Sequence, residues 1–204
     1  MNELPLRRLE GFSDGVFAIA ITLLVLELAV PRTAEGHLLH SILHLWPSYL
    51  AYITSFLTIG VIWLQHSAIT SALRAADATL YRLNLLVLLL VSFLPFPTKL
   101  LSEFIGHSGP ERITAVFYGL TLLALSLALT VFVRYAAENR RLVRDDFDEQ
   151  TLQAAREYKP ALTLYVVGIF LALVAPGAGV ITYLVSAIAR GLPTRTLRRL
   201  LLHR

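Results

Sequence analysis

Long runs of apolar residues, broken only by short polar connectors, constrain this chain more than any other feature. A helix crossing about 30 Å of hydrocarbon needs roughly 20 mainly apolar residues. Inside a bilayer every backbone polar group must be satisfied without water, which a helix achieves within its own segment. Such runs occupy residues 12–30, 47–67, 83–101 and 113–133, and two shorter ones, 161–174 and 180–189, flank Ala175-Pro176-Gly177-Ala178-Gly179. Of the 204 residues, 56% are hydrophobic and only 16% charged, where a soluble domain carries about a quarter charged. The sequence therefore predicts one all-α integral membrane domain over residues 1–204, with no room for a separate soluble domain.

The two short runs fit either a tight helical hairpin or one kinked helix, and the arginines decide between them. With six spans, one face holds Arg7, Arg8, Arg74, Arg82, Arg134, Arg140, Arg141, Arg144, Arg156, Lys159 and the five arginines from Arg190 onward. The other face holds Arg32, Lys99 and Arg112, a division of fifteen to three; with five spans it falls to ten to eight. Positive charge gathers on the cytoplasmic side of membrane proteins. Six transmembrane helices with both termini cytoplasmic is the predicted topology. All basic residues but Lys99 and Lys159 are arginine, a usage that fits a GC-rich bacterial genome; with the apolar runs, the expected location is a bacterial plasma membrane. The first run has no small-residue cleavage site and contains Asp14 and Glu27, so it reads as a retained span rather than a signal peptide.

Several function classes fall away. Cysteine is absent, which excludes disulfides, thiolate chemistry and cysteine-based zinc sites. No glycine-rich phosphate loop, zincin helix or nucleophile with a base is present, so no enzyme and no cofactor are expected. The basic balance is explained by topology, not by nucleic acid. Residues 145–159 are acidic first and basic last, the pattern of a cytoplasmic helix aligned with its dipole, and they lack the spacing and glycine of a calcium loop. His37, His40 and His44 share one face of a short outer helix at a spacing that suits a transition metal, although an interfacial histidine face is commoner; no metal is assigned. Thr58-Ile59-Gly60-Val61 echoes a potassium-channel filter but lies inside a continuous span. An intact helix cannot offer the carbonyls a filter needs, so Gly60 is assigned to close helix approach.

The first run carries the chemistry. An acid near the centre of a span costs on the order of 2.5–3.5 kcal/mol and normally faces protein or water. At 100° per residue, Ile19, Leu23 and Leu26 fall within about 60° of one another, Thr22 borders that stripe, and Asp14 lies roughly 140° from Ile19. Asp14 is thus expected to point away from the stripe and anchor the helix to its neighbours. Trp63 and His66, at i and i+3 on the second span, and Asn84 at the start of the third enter at the same depth. Glu27 ends the stripe, placed either to draw cations or simply as a solvated helix end.

The pattern Arg8-x-x-x-Phe12-Ser13-Asp14-x-x-x-Ala18 resembles the first-helix signature of the TMEM175 potassium-channel family, with no departure within the motif. Trp63-x-x-His66 and the stretch Asn84…Phe93-Leu-Pro95-Phe-Pro97-Thr98 are similar to that family's second and third helices, and the likeness runs over the whole chain. The resemblance implies a homotetramer of six-helix subunits that conducts K+ through a central pore lined by the first helices, without the usual selectivity loop. It implies aliphatic constriction rings at Ile19, Leu23 and Leu26, a cation-selecting layer at Thr22, and a structural network of Arg8, Phe12, Ser13, Asp14, Trp63, His66 and Asn84. The competing reading is a proton-coupled or other secondary cation transporter using Asp14 and His66 as a titrating pair.

Overall fold

A computed structural model describes residues 6–28, 38–106, 109–145 and 160–191. Among these the chain is helical: α1 (Leu6–Leu23), α2 (Leu38–His44), α3 (Trp46–Ser71), α4 (Ala78–Phe93), α5 (Pro95–Phe104), α6 (Pro110–Glu138), α7 (Pro160–Val174) and α8 (Pro176–Gly191). Among the described residues, four stretches are long and apolar enough to cross a membrane: Leu6–Glu27, Trp46–Ser71, Ala78–Phe104 and Pro110–Glu138. Residues 146–159, where the sequence predicts a further helix, lie outside the described residues, as does His37.

The third run, read as one span over 83–101, is divided at Leu94 into α4 and α5. Pro95 has no N–H to continue the ladder, and its ring crowds the carbonyl four residues earlier. Leu94 N–H closes instead on Val91 at 3.2 Å, a tighter turn that lets two shorter helices share one run. The first run also changes character, from α-helix to a 3-10 turn at Leu24–Glu27. A 3-10 turn rises faster and is narrower than an α-helix, so Leu26 is not placed by the 100° wheel that places Ile19 and Leu23.

The two short runs form a hairpin rather than a kinked helix. A Cβ on Gly179 would stand 2.6 Å from that of Ala172, and one on Gly168 would stand 2.5 Å from the Tyr183 ring. Both pairs are symmetric about Ala175–Pro176, as an antiparallel pair requires. Close approach is therefore carried by Gly168 and Gly179, with Gly119 of α6 accommodating the Tyr183 phenol. Gly60 does not play the part its sequence suggested: a Cβ there would meet nothing within 4 Å.

α6 is the most buried of the long helices and packs against α3, α4, α5, α7 and α8, while α1 lies across α3 and α4. The core is apolar but threaded with hydroxyls that satisfy one another. Ser55 Oγ bonds Thr98 Oγ1 at 2.7 Å and Tyr118 Oη at 2.8 Å, all three buried. Beyond the ends of α3 and α6 the connectors clasp. Arg74 N–H donates to Leu142 O at 2.8 Å and Arg144 N–H to Ala72 O at 3.0 Å, around an antiparallel bridge of Leu73 with Val143. Asp77 caps α4 by accepting from Leu80 N–H at 2.9 Å, and it also accepts from the Tyr135 hydroxyl at 2.8 Å and Arg141 Nη2 at 2.7 Å. Burial works to raise this carboxyl, but those three donors together hold it below the usual carboxylate range.

Candidate functional site: the first helix and its anchors

α1 divides lengthwise into a held face and an open one. Leu9, Ser13, Phe17 and Ala20, followed by Leu24, are buried, a spacing of three and four residues that traces one side of a helix. Ile19, Leu23 and Leu26 are 60%, 43% and 70% exposed in the isolated chain, far more than core aliphatics. Thr22 is exposed beside them. The stripe is therefore left uncovered by the chain's own packing. Exposed branched-aliphatic side chains at this density call for either lipid or other copies of the same face.

Thr22 has a particular geometry. Its hydroxyl lies 3.0 Å from both Ala18 O and Ile19 O. The hydroxyl proton is thus directed at the helix's own carbonyls, and the oxygen's lone pairs are left to face outward.

The held face is anchored by two separate hydrogen-bonded groups. In the first, Asn84 Nδ2 donates to Ser13 Oγ at 3.0 Å, and Ser13 passes its own proton to Leu9 O at 2.7 Å. Asn84 Oδ1 lies 2.7 Å from His66 Nε2; a carbonyl oxygen only accepts, so the ring nitrogen must carry the proton. His66 is sandwiched between Phe17 of α1 and Phe132 of α6, with centroids 5.4 and 5.0 Å away. In the second group, Trp63 Nε1 donates to Asp14 Oδ1 at 2.9 Å.

The sequence-derived network is thus largely brought together, with one correction. Asp14 was expected to turn into the subunit's interior, yet it is exposed and sits on the flank of the held face. The reason is angular. The buried stripe is centred roughly 100° from Asp14 and about 120° from Ile19 on its other side, so neither lies inside. Ser13 takes the inward position and carries the buried contact. Arg8 and Phe12 are exposed near the start of the helix. Asp14 and His66, the pair a coupled transporter would titrate, share no hydrogen bond; each is engaged by a different neutral partner.

Elsewhere, His40 and His44 are exposed and stacked with centroids 3.9 Å apart, and His44 Nδ1 is 3.1 Å from His40 O. Among the described residues, no group of three or more metal-ligating side chains comes together. Sequence reasoning passed over the clasp at Asp77, whose cap pattern before α4 was legible, and over Arg190 of α8, which the charge count placed in a solvated tail.

Together the folded-back apolar helices and the open, pinned first helix define a polytopic membrane protein whose first helix keeps one face uncovered by the chain's own packing. The family model described as endosomal/lysosomal potassium channel TMEM175 matches residues 8–95. A potassium channel from Chamaesiphon minutus is 41% identical over 171 residues, covering 82% of this chain and 84% of the relative. One from Streptomyces collinus is 39% identical over 150 residues, covering 73% of each. The crystal structure of a lysosomal potassium-selective channel TMEM175 homolog from Chamaesiphon minutus superposes with a TM-score of 0.82 at 39% identity, covering 92% of this chain and 96% of that one. This chain belongs to the TMEM175 family.

Proposed function

We propose that this chain is one subunit of a potassium-selective channel, and that four copies surround a central pore with their α1 helices innermost. The observation that carries this reading is the exposure of Ile19, Leu23 and Leu26 on a helix whose opposite face is buried and hydrogen-bonded. The names of the bacterial relatives supply the ion. Six crossings with both termini cytoplasmic follow from the division of basic residues, fourteen to three with the buried Arg190 set aside, and from the α7–α8 hairpin.

The mechanism follows from the chemistry of the open face. Rings of branched aliphatic side chains gate by dewetting: when they approach, water leaves and a cation loses its hydration. Thr22, one turn before the last ring, offers oxygen lone pairs because its proton is committed to Ala18 and Ile19 carbonyls. A ring of such oxygens replaces part of the ion's shell. One layer of this kind discriminates less than a continuous carbonyl filter. Asp14 and His66 are each held by a different neutral partner, Trp63 and Asn84, as members of a structural network that fixes α1.

In reconstituted bilayers the protein should carry unitary currents reversing near the potassium equilibrium potential. Thr22→Val should lower the potassium-to-sodium permeability ratio while sparing conductance through the aliphatic rings. A ratio unchanged in that variant would remove Thr22 from the selectivity layer, and saturable flux without unitary currents would overturn the channel reading.

A further inference from the structure

Arg190, the second-last residue of α8, stands apart from every other basic residue the structure describes. It is only 6% exposed. Its guanidinium reaches into the bundle, where Nη1 donates to Tyr165 Oη at 2.7 Å and to Ser126 Oγ at 3.2 Å, and Nη2 donates to Gln65 Oε1 at 3.0 Å. The carbon at its centre lies 5.6 Å from the centroid of the Tyr165 ring. All of these partners are neutral. Among the described residues no carboxylate lies within ion-pair distance of it.

An arginine does not shed its proton in a protein, so the positive charge is held in a low-dielectric interior. Burying an unpaired ion costs several kcal/mol even after relaxation. Neutral hydrogen bonds and a ring face offset part of that cost without cancelling the charge. Two further observations lie on the same helix face. Arg190 Nε is buried and has no hydrogen-bond partner in the protein, and neither has Ser186 Oγ, which is fully buried one turn earlier. Native proteins pair nearly all such atoms. One N–H donor and one O–H donor left over beside an uncompensated positive charge form the donor set of an anion site.

We infer that Arg190 and Ser186 bind a small monovalent anion of the size and chemistry of chloride. Arg190 Nε supplies charge and one hydrogen bond, and the Ser186 hydroxyl supplies the second. The anion neutralises the charge that ties α8 to α3, α6 and α7. It lies behind α3 rather than on the open face of α1, so it is a structural ligand and not a permeant ion. A water molecule would satisfy the two donors but leave the charge uncompensated, which is why the anion is the better occupant.

The test uses the full-length protein in detergent at fixed potassium concentration and ionic strength, with chloride exchanged stepwise for gluconate. Chloride should raise Tm saturably by a few degrees. Arg190→Gln, which keeps hydrogen-bonding capacity and removes the charge, should abolish that dependence. Ser186→Ala should shift its midpoint to higher chloride several-fold. A readout independent of either variant is diffraction from wild-type crystals grown in bromide, where an anomalous peak in contact with Arg190 Nε and Ser186 Oγ is expected. The same Tm in chloride and gluconate, or a bromide map without a peak there, would overturn the proposal and leave an ordered water as the partner of both donors.

Discussion

Replacing Asn84 tests the anchoring of α1 more sharply than replacing the acid that dominates the motif. Asn84 is buried and joins three helices: its Nδ2 holds Ser13 on α1 and its Oδ1 holds His66 on α3. Asn84→Leu removes both bonds. Side-chain hydrogen bonds within membrane proteins are worth about 0.6 kcal/mol on average and up to about 1.7. The deletion also leaves the His66 N–H buried without a partner, a penalty of about 1–3 kcal/mol. Ser13 escapes that penalty because it retains Leu9 O at 2.7 Å. The total is a loss of roughly 2–4 kcal/mol. His66→Phe loses the single bond to Asn84 Oδ1, which keeps only the 3.3 Å approach of Ser13 Oγ, and a phenyl ring fits between Phe17 and Phe132, so it should cost less than Asn84→Leu. The double variant leaves no polar group unmatched, so it should cost less than the sum of the singles by about 1–3 kcal/mol. Trp63→Phe loses one bond at an exposed carboxylate and should cost about 0.6 kcal/mol. Reversible unfolding in mixed micelles titrated with SDS provides all four values. Additive effects of Asn84→Leu and His66→Phe, or a Trp63→Phe cost equal to that of Asn84→Leu, would refute the reasoning.

Two further outcomes follow from the packing and the clasp. Asp77 has a depressed pKa in the fold, so its contribution to stability is complete above the ordinary carboxylate range and is lost only as pH falls through its lower folded value. Wild-type stability should therefore show no Asp77-dependent change between neutrality and mild acid, and Asp77→Ala should lose about 1–2 kcal/mol from the cap alone at pH 7, read by thermal unfolding across pH. Gly179→Val should separate α7 from α8, because the new side chain meets Ala172 backbone atoms that cannot swing aside, costing about 1–3 kcal/mol or more. Gly60→Ala in the same assay should be within about 0.5 kcal/mol of wild type.

The apolar runs and the α1 anchors were legible in the sequence because each is a local or periodic pattern, and the hairpin because charge is divided between the two membrane faces. A run length reports a span, and the distribution of arginines decided that the runs on either side of Ala175-Pro176-Gly177 form a hairpin and not a kinked helix. Residues at one depth on neighbouring spans report a polar cluster, which is how Asn84, His66 and Trp63 were found. What it missed depends on rotation about a helix axis or on contacts distant in sequence. Asp14 and Ser13 are adjacent in the chain but 100° apart, so which of them faces inward depends on where α3 and α4 lie. The glycines show the same limit. Gly60, Gly119 and Gly179 look alike in apolar sequence, and only the position of Tyr183 and Ala172 shows which of them makes a close approach. The division of the third run at Leu94 was written in Pro95, whose missing N–H has a local consequence. Arg190 looked like one more arginine of a solvated tail until Tyr165, Ser126 and Gln65 were found around it.

The central claim is that the uncovered face of α1 surrounds a shared water-filled axis, and the absence of cysteine from the chain makes it directly measurable. Leu23→Cys in the reconstituted channel should be blocked rapidly by a charged, water-borne thiol reagent during current recording, while Ile113→Cys, more exposed than Leu23 in the isolated chain but on α6, should leave the current unchanged. Current through Leu23→Cys that persists under the reagent, with Ile113→Cys blocked in its place, would contradict the account.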